Sequence, residues 1–165
     1  MILEAINSIK NELDAFLRVK LEVDESMAII SAIIEPGGII PAGNQNKIVL
    51  TLINIQTETS IAQLGFSVDT GAAHPCTNLL IMVSAWFMDY QETLRCLSVV
   101  VDYFQSKTTF DHENTPMLNP AIDKLVIEPI NLSAEELGSI WGAIGTGCLP
   151  SRLYKMKIRP VQAQA

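Results

Sequence analysis

The sequence predicts an α/β fold of the α+β type, in which a mixed β-sheet of about five strands is flanked by three helices. Apolar residues with helical three-and-four spacing alternate along the chain with short runs rich in Ile, Val and Leu. The chain has 165 residues, of which 48% are hydrophobic and 18% charged, so it can bury one core and keep apolar surface for a subunit interface. We therefore expect a single domain over residues 1–165.

The first half of the chain begins with an amphipathic helix whose apolar residues recur on one side. They are Ile2, Ile6, Ile9, Leu13 and Phe16. An Ile-rich strand is predicted at residues 27–34, and a second strand at 47–57 is apolar on both faces, as in the middle of a covered sheet. Residues 59–77 contain Gly, Pro and small polar residues, which predicts a long excursion of the same domain.

A third strand is predicted at residues 78–87, followed by a second helix. Asp89 and Glu92 form a capping-box-like start for that helix. Its predicted apolar stripe consists of Tyr90, Leu94, Leu97, Val101 and Phe104. Residues 108–120 are polar and contain Pro, which predicts a loop, and a short strand is expected at 125–130.

Ser133 and Glu136 form a capping box, and Leu132 is spaced to pack on Leu137, so a short third helix should begin here and reach Trp141. Glycines are expected to break the helix after that point; they are Gly142, Gly145 and Gly147. At the helix end, Trp141 either fills the core or anchors a partner, and core packing is the commoner fate of such a residue.

The last predicted strand, residues 153–158, alternates basic and apolar side chains. Lys155, Lys157 and Arg159 share one side, which predicts a final strand with one wet face. Two interpretations remain open for this row. It is either a docking surface for an acidic partner or a solvated edge whose charges prevent unwanted strand pairing.

Charge and cysteine content narrow the expected ligand classes and the expected cellular compartment of the protein. The net charge of −7 would repel phosphate backbones and anionic lipids, so nucleic acid is not an expected ligand. The start of the chain has no secretory signal pattern, and the longest apolar run, residues 79–88, is too short for a spanning helix, so we expect synthesis in the cytoplasm. Cys76, Cys96 and Cys148 are expected to be reduced and buried.

Searches for reactive groups favour a protein without catalytic, cofactor or metal residues. The chain has no phosphate-binding loop, nucleophile elbow or dinucleotide fingerprint. His74 lies two residues from Cys76, but no neighbour is spaced to orient the imidazole. Residues 111–113, Asp-His-Glu, offer metal-ligand atoms, yet adjacent residues seldom converge on one ion, so a solvated loop is expected there.

A family resemblance spans nearly the whole chain and is most specific in its second half. The most specific positions are Trp141, Gly142, Gly145, Pro150, Ser151 and Tyr154. Residues 124–128 and 131–137 add to it, and the order of the segments at 78–80, 90–104 and 114–118 agrees with it. In these features the chain resembles the cap, or tail-terminator, proteins of extracellular contractile injection systems of the virulence-cassette and antifeeding-prophage type, and specifically their N-terminal domain.

The resemblance implies a phage tail-terminator-like fold and a structural role without catalysis. It implies a homo-hexameric ring that ends the inner tube and meets the last sheath layer, so the implied partners are further copies of the chain, the tube protein and the sheath protein. A second cap paralogue is an open partner. The implied location is a bacterial cytoplasm during assembly and then the injection particle, whether or not that particle is released.

Two other functions remain alternatives to the terminator. The first is an adaptor or assembly chaperone that binds tail subunits through the same apolar surfaces. The second is a small hydrolase built on His74 and Cys76.

Overall fold

The structure is a computed structural model that describes residues 1–57 and 76–161. The described residues form three α-helices and six β-strands, which confirms the predicted class. The helices are α1 (Ile2–Leu21), α2 (Tyr90–Ser106) and α3 (Ala134–Ile144). The strands are β1 (Ala28–Ile30), β2 (Lys47–Thr57), β3 (Thr77–Trp86), β4 (Thr109–Asp111), β5 (Ile122–Ile130) and β6 (Ser151–Pro160).

The strands form one mixed sheet with the order β1-β2-β3-β6-β5-β4. β1 runs parallel to β2, and every other neighbouring pair is antiparallel. The first strand is shorter than the predicted 27–34, because the chain leaves the sheet after Ile30 and the side-chain amide of Asn44 donates to the carbonyl of Ala32 (2.8 Å).

Six strands are present where about five were predicted. The additional strand is β4, which lies inside the segment that the sequence predicted to be a loop. Its central residue, Phe110, is fully buried, whereas its two neighbours are polar and half-buried. A single apolar residue between polar ones is too short a pattern to distinguish a strand from a loop. The predicted loop at 108–120 is therefore wrong over its first residues.

One face of the sheet, here called the helix face, is covered by α1 and α2. The main core lies between the sheet and these two helices. It includes Leu13, Leu17, Ile48, Leu79, Leu125 and Met156, all essentially inaccessible to solvent. The carboxylate of Asp14 accepts hydrogen bonds from the backbone amides of Met27 (2.6 Å) and Ala28 (2.8 Å). This side chain therefore fixes the first helix to the start of the sheet.

The predicted apolar stripe of α2 is wrong, because the buried side of the helix is rotated about the helix axis relative to that stripe. Tyr90 is 65% exposed and Leu94 is 44% exposed, whereas the buried side is formed by Thr93, Cys96, Val100, Tyr103 and Phe104. Two stripes with helical spacing run side by side on this segment, and periodicity alone does not decide which of them meets the sheet. Asp89 is the N-cap as expected, but it accepts from the amide of Gln91 (2.8 Å) and makes no capping box with Glu92.

The opposite face of the sheet, here called the open face, carries α3. The predicted capping box is confirmed, since the Ser133 hydroxyl accepts from the Glu136 amide (3.1 Å) and the Glu136 carboxylate accepts from the Ser133 amide (2.8 Å). The helix continues three residues beyond Trp141, so Gly142 lies within it and does not break it. Gly145 ends the helix because its φ of 84° lies in the left-handed region that glycine adopts without strain.

Candidate interface on the open face of the sheet

Helix α3 covers only part of the open face. Beneath it, Trp141 packs with Ile33, Met82 and Leu153 in a second, smaller core. A groove of about 500 Å³ lies on the side of α3 towards β1 and β2. A second groove, of about 530 Å³, lies on the side towards β5 and β6. The open face thus presents accessible surface on both flanks of one short helix.

The basic side chains of β6 lie on this open face, where Lys155 lines the second groove beside α3. Tyr154, Met156 and Ile158 point into the main core, so the intervening Lys155, Lys157 and Arg159 point the other way. The alternation predicted from the sequence is therefore present. Lys124 of β5 is the register partner of Arg159 and extends the row sideways. These four residues are called the basic patch below.

The interpretation of the basic row as a solvated edge is wrong in one respect, because β6 is not at an edge of the sheet. β6 lies between β3 and β5 and is hydrogen-bonded to both. Alternation of wet and buried residues indicates that one face is exposed, but it carries no information on whether neighbouring strands are present. Because β6 has two neighbours, its charges do not serve to block strand pairing at an edge.

Among the described residues, one of the four basic side chains of the patch makes an ion pair. Lys157 is held by Glu128 of β5, with 3.0 Å between the ammonium nitrogen and the carboxylate oxygen. Within residues 1–57 and 76–161, no carboxylate lies at ion-pair distance from Lys124, Lys155 or Arg159. Asp111 is opposite Lys124 in register, but its carboxylate accepts from the amides of Glu113 and Asn114. Carboxylates nevertheless lie beside the basic patch, since Glu128 is also the register partner of Lys155, and Glu135 and Glu136 line the same groove as Lys155.

Comparison with known proteins assigns the family. The model of the Pvc16 N-terminal domain matches residues 4–165. The chain belongs to this family. The cap family named from the sequence is therefore confirmed. A search of curated proteins found no match.

Two solved structures share the Pvc16 N-terminal domain fold. One is described as the sheath/tube terminator of the PVC extracellular contractile injection system in the extended state. It has a TM-score of 0.62 and 13% identity, and the match covers 100% of this chain and 57% of that one. The other is described as the tube-terminating cap of the anti-feeding prophage, with a TM-score of 0.56, 11% identity, and coverage of 94% and 55%. The chain thus spans a little over half the length of both.

Several positions that carried the family resemblance lie in a core or at the sheet of this Pvc16 N-terminal domain. Trp141 is 3% exposed in the second core, which is the environment that the core interpretation requires. The Pro150 carbonyl accepts from the Ala85 amide (3.0 Å), and Ser151 begins β6 opposite Ser84.

Lys124 was not predicted from the sequence as a member of the basic patch. Its membership depends on strand register, which no local pattern reveals.

Tyr154 is buried against Phe104, with ring centroids 4.6 Å apart. Burial raises the pKa of Tyr154 from 10.0 to about 12, only partly opposed by the nearby Arg152. Because the folded pKa is raised, the stabilising contribution is complete below the unfolded pKa and is lost as pH rises through the folded one. We expect the free energy of unfolding, measured with urea, to fall between about pH 10 and pH 12. A Tyr154→Phe variant should show a flatter pH profile, and an identical slope would contradict this assignment.

The three cysteines differ in exposure. Cys96 is buried, as expected, and burial with the neighbouring Glu92 raises its pKa to about 11. Cys76 is half-buried and Cys148 is exposed, so the expectation of burial was wrong for both. All three are free thiols. His74 lies outside the described residues, so its position relative to Cys76 is not described.

The polar side chains of residues 111–113, where a solvated loop was expected, make local hydrogen bonds around the end of β4. The Nε2 atom of His112 lies 2.9 Å from the Ile122 carbonyl oxygen, and Asp111 holds the turn that follows β4. Among the described residues, no group of three His, Cys, Asp or Glu side chains is placed to hold a metal ion. No described helix is long and apolar enough to cross a membrane.

We predict that alanine at His74, Cys76 or His112, each changed singly, leaves assembly nearly intact, because no described catalytic constellation surrounds Cys76 or His112. Electron microscopy of assembled material and a thermal melt of each variant are the measurements. Loss of function in a variant that keeps its melting temperature would contradict this prediction. Labelling of Cys76 by an electrophile that His74→Ala abolishes would instead support the hydrolase alternative.

Proposed function

We propose that the protein is a non-enzymatic terminator: a closed ring of six copies that ends the inner tube of a contractile, phage-tail-like injection particle and meets the last sheath layer. The observation that carries this proposal is the match of the whole of this chain to a little over half of a sheath/tube terminator, together with membership of the Pvc16 N-terminal domain family. The second neighbour, a tube-terminating cap, supports the same role.

A terminator needs complementary surfaces rather than an active site. A tube built from identical rings presents the same unsatisfied surface at its end. A protein that stops growth must therefore match that surface on one side and withhold it on the other. Closed rotational symmetry follows from the symmetry of the tube on which the terminator sits.

The basic patch supplies the proposed docking surface. Lys124, Lys155 and Arg159 have no ion-pair partner among the described residues, so an acidic rim on the tube or on a neighbouring subunit would provide counter-charges that the chain itself does not. Charge complementarity of this kind steers association and fixes orientation. In this proposal the domain over residues 1–165 acts as one unit, with tube protein, sheath protein and other copies as partners.

The same proposal gives the setting of the protein. It assembles in the cytoplasm of a bacterium and then forms part of the particle, alone or beside a second cap paralogue. The proposal includes no cofactor or metal.

A second candidate function is an adaptor or assembly chaperone for tail subunits. The observation that favours it is the pair of open grooves beside α3, which a transient client would cover. Negative-stain images of the purified protein, alone and mixed with tube subunits, separate the two functions. Rings seated on tube ends support the terminator. A stable monomer that binds single tube subunits and leaves tube ends bare supports the adaptor.

A further inference from the structure

Residues 112–121 connect β4 to β5 and are called the β4–β5 loop. The amide of Thr115 donates to the carbonyl of Asp111 (2.8 Å), and the amide of Leu118 donates to the carbonyl of Thr115 (2.9 Å). Both Thr115 and Leu118 are buried. A compact loop that is bonded and packed within itself keeps or loses its conformation as one unit.

Lys107, the C-cap residue of α2, reaches the β4–β5 loop with its side chain. The ammonium donates to the carbonyl of Asn114 (2.9 Å) and to the carboxylate of Glu12 in α1 (2.7 Å). Its nitrogen also lies 4.8 Å from the centre of the Phe110 ring in β4, a distance at which a cation is attracted to the ring face. One side chain thus connects α1, the end of α2, β4 and the loop.

The ion pair between Lys107 and Glu12 is partly shielded from water. The side chain of Lys107 is 23% exposed and that of Glu12 is 30% exposed, against 59% and 41% for the surface pair of Arg95 and Glu92. Shielding reduces the screening of a pair by salt, and hydrogen bonds to charged groups are stronger than neutral ones. The negative end of the helix dipole also favours a cation at the C-cap of α2. Lys107 is therefore a stronger attachment than the surface pair.

The polar link between the helices and the loop depends on this one residue. Within residues 1–57 and 76–161, no side chain of α1 or α2 itself makes a hydrogen bond to the loop. The remaining bonds of the loop are internal or involve the adjoining strands, such as the contact between His112 Nε2 and the Ile122 carbonyl oxygen. Loss of the Lys107 ammonium therefore removes that link and leaves the half-buried Glu12 without its cation.

The β4–β5 loop also carries Met117, which is 85% exposed, more than any other large apolar residue in the described part of the chain. The conformation of the loop sets the position at which this side chain is presented to solvent. A loop that is already ordered loses less conformational entropy when a partner docks on it.

We propose that Lys107 is a positioning residue that holds the β4–β5 loop, and with it Met117, in one conformation. Without the Lys107 ammonium the loop opens as a unit while the sheet stays folded. Separate opening is expected because the bonds of the loop are mostly internal, and proteins open locally in such units at a lower free energy than that of global unfolding. The inference concerns the free protein and does not depend on the proposed terminator function.

Amide hydrogen exchange of the full chain at increasing urea concentrations tests this inference. The amides of Thr115 and Leu118 report on the loop, and those of Leu79 and Met156 report on the two central strands. Lys107→Met keeps an unbranched side chain over Phe110 but removes the ammonium. We expect both loop amides to exchange at least about tenfold faster in this variant, since a hydrogen bond to a charged group is lost. Their exchange should depend little on urea, whereas the strand amides should exchange more slowly and with a steep urea dependence.

Two further variants separate the ion pair from a general effect of charge. Arg95→Met is the matched control, because it removes a basic side chain of α2 whose ion pair with Glu92 lies on the surface. It should leave the exchange of the loop unchanged. Glu12→Gln should speed exchange of the loop less than Lys107→Met does, and the double variant should open no faster than Lys107→Met alone, because the two residues act together. If Lys107→Met does not fold, Glu12→Gln carries the same comparison.

Three results would overturn the proposal. The first is exchange of Thr115 and Leu118 at the parent rate in folded Lys107→Met. The second is loop exchange with the same rate and urea dependence as the strand amides, since the loop would then open only on global unfolding. The third is a double variant in which the two single accelerations multiply, since Lys107 and Glu12 would then act independently.

Discussion

Replacing Trp141 by alanine is expected to lower the free energy of unfolding by about 3 to 5 kcal/mol, the range for deleting a large buried aromatic side chain. Trp141 is 3% exposed and fills the space between α3, Met82 and Leu153. Its removal leaves a cavity beside Ile33, Met82 and Leu153, which the partly buried apolar side chains around this second core close only in part. Urea denaturation of the isolated protein measures the loss.

Trp141→Phe is the control for that experiment. The indole nitrogen has no hydrogen-bond partner among the described residues, so phenylalanine forfeits volume but no described bond. Its cost should be clearly smaller than that of alanine. An alanine variant that unfolds at the parent urea concentration but fails to form rings would contradict the core role and would make Trp141 an interface anchor.

Reversing two charges of the basic patch, Lys155→Glu with Arg159→Glu, is expected to abolish capping while changing stability by about 0.5 kcal/mol or less. Neither residue has an ion-pair partner in the described ranges, so the folded monomer loses no ion pair. Lys157 is kept because Glu128 binds it. The length distribution of assembled particles, measured by electron microscopy, is the decisive quantity.

The matched control reverses Arg18 and Lys20, two exposed basic residues near the end of α1. The change in net charge is the same, but the site lies on the helix that packs against the other face of the sheet. This variant should cap normally. A patch variant that folds, binds tube ends and gives normal particle lengths at low and high salt would contradict the docking role. The search for the tube contact would then move to residues 108–120.

The sequence predicted those elements whose signals are local. The bounds of β2 were predicted as observed, and the capping box at Ser133 placed the start of α3 correctly. Failures occurred where the answer depends on distant residues. The rotation of α2 is set by what packs on it, and β4 exists because Phe110 is buried and β5 supplies its hydrogen bonds.

The candidate interface was predicted in the same partial way. Alternation along β6 identified three basic side chains on one face, because side-chain direction in a strand is a local property. The insertion of β6 between β3 and β5 was missed, and so was the addition of Lys124 from the next strand. Strand order and register depend on pairing between segments that are distant in the sequence. The local pattern of one strand therefore does not specify them.

The central claim is that this protein ends tube growth, and polymerisation of purified tube subunits with increasing amounts of it tests that claim most directly. The account predicts that tubes become shorter as the ratio rises and that electron micrographs show a ring-shaped density on one end of each tube. Tubes of unchanged length with bare ends, in the presence of a correctly folded protein, would contradict it.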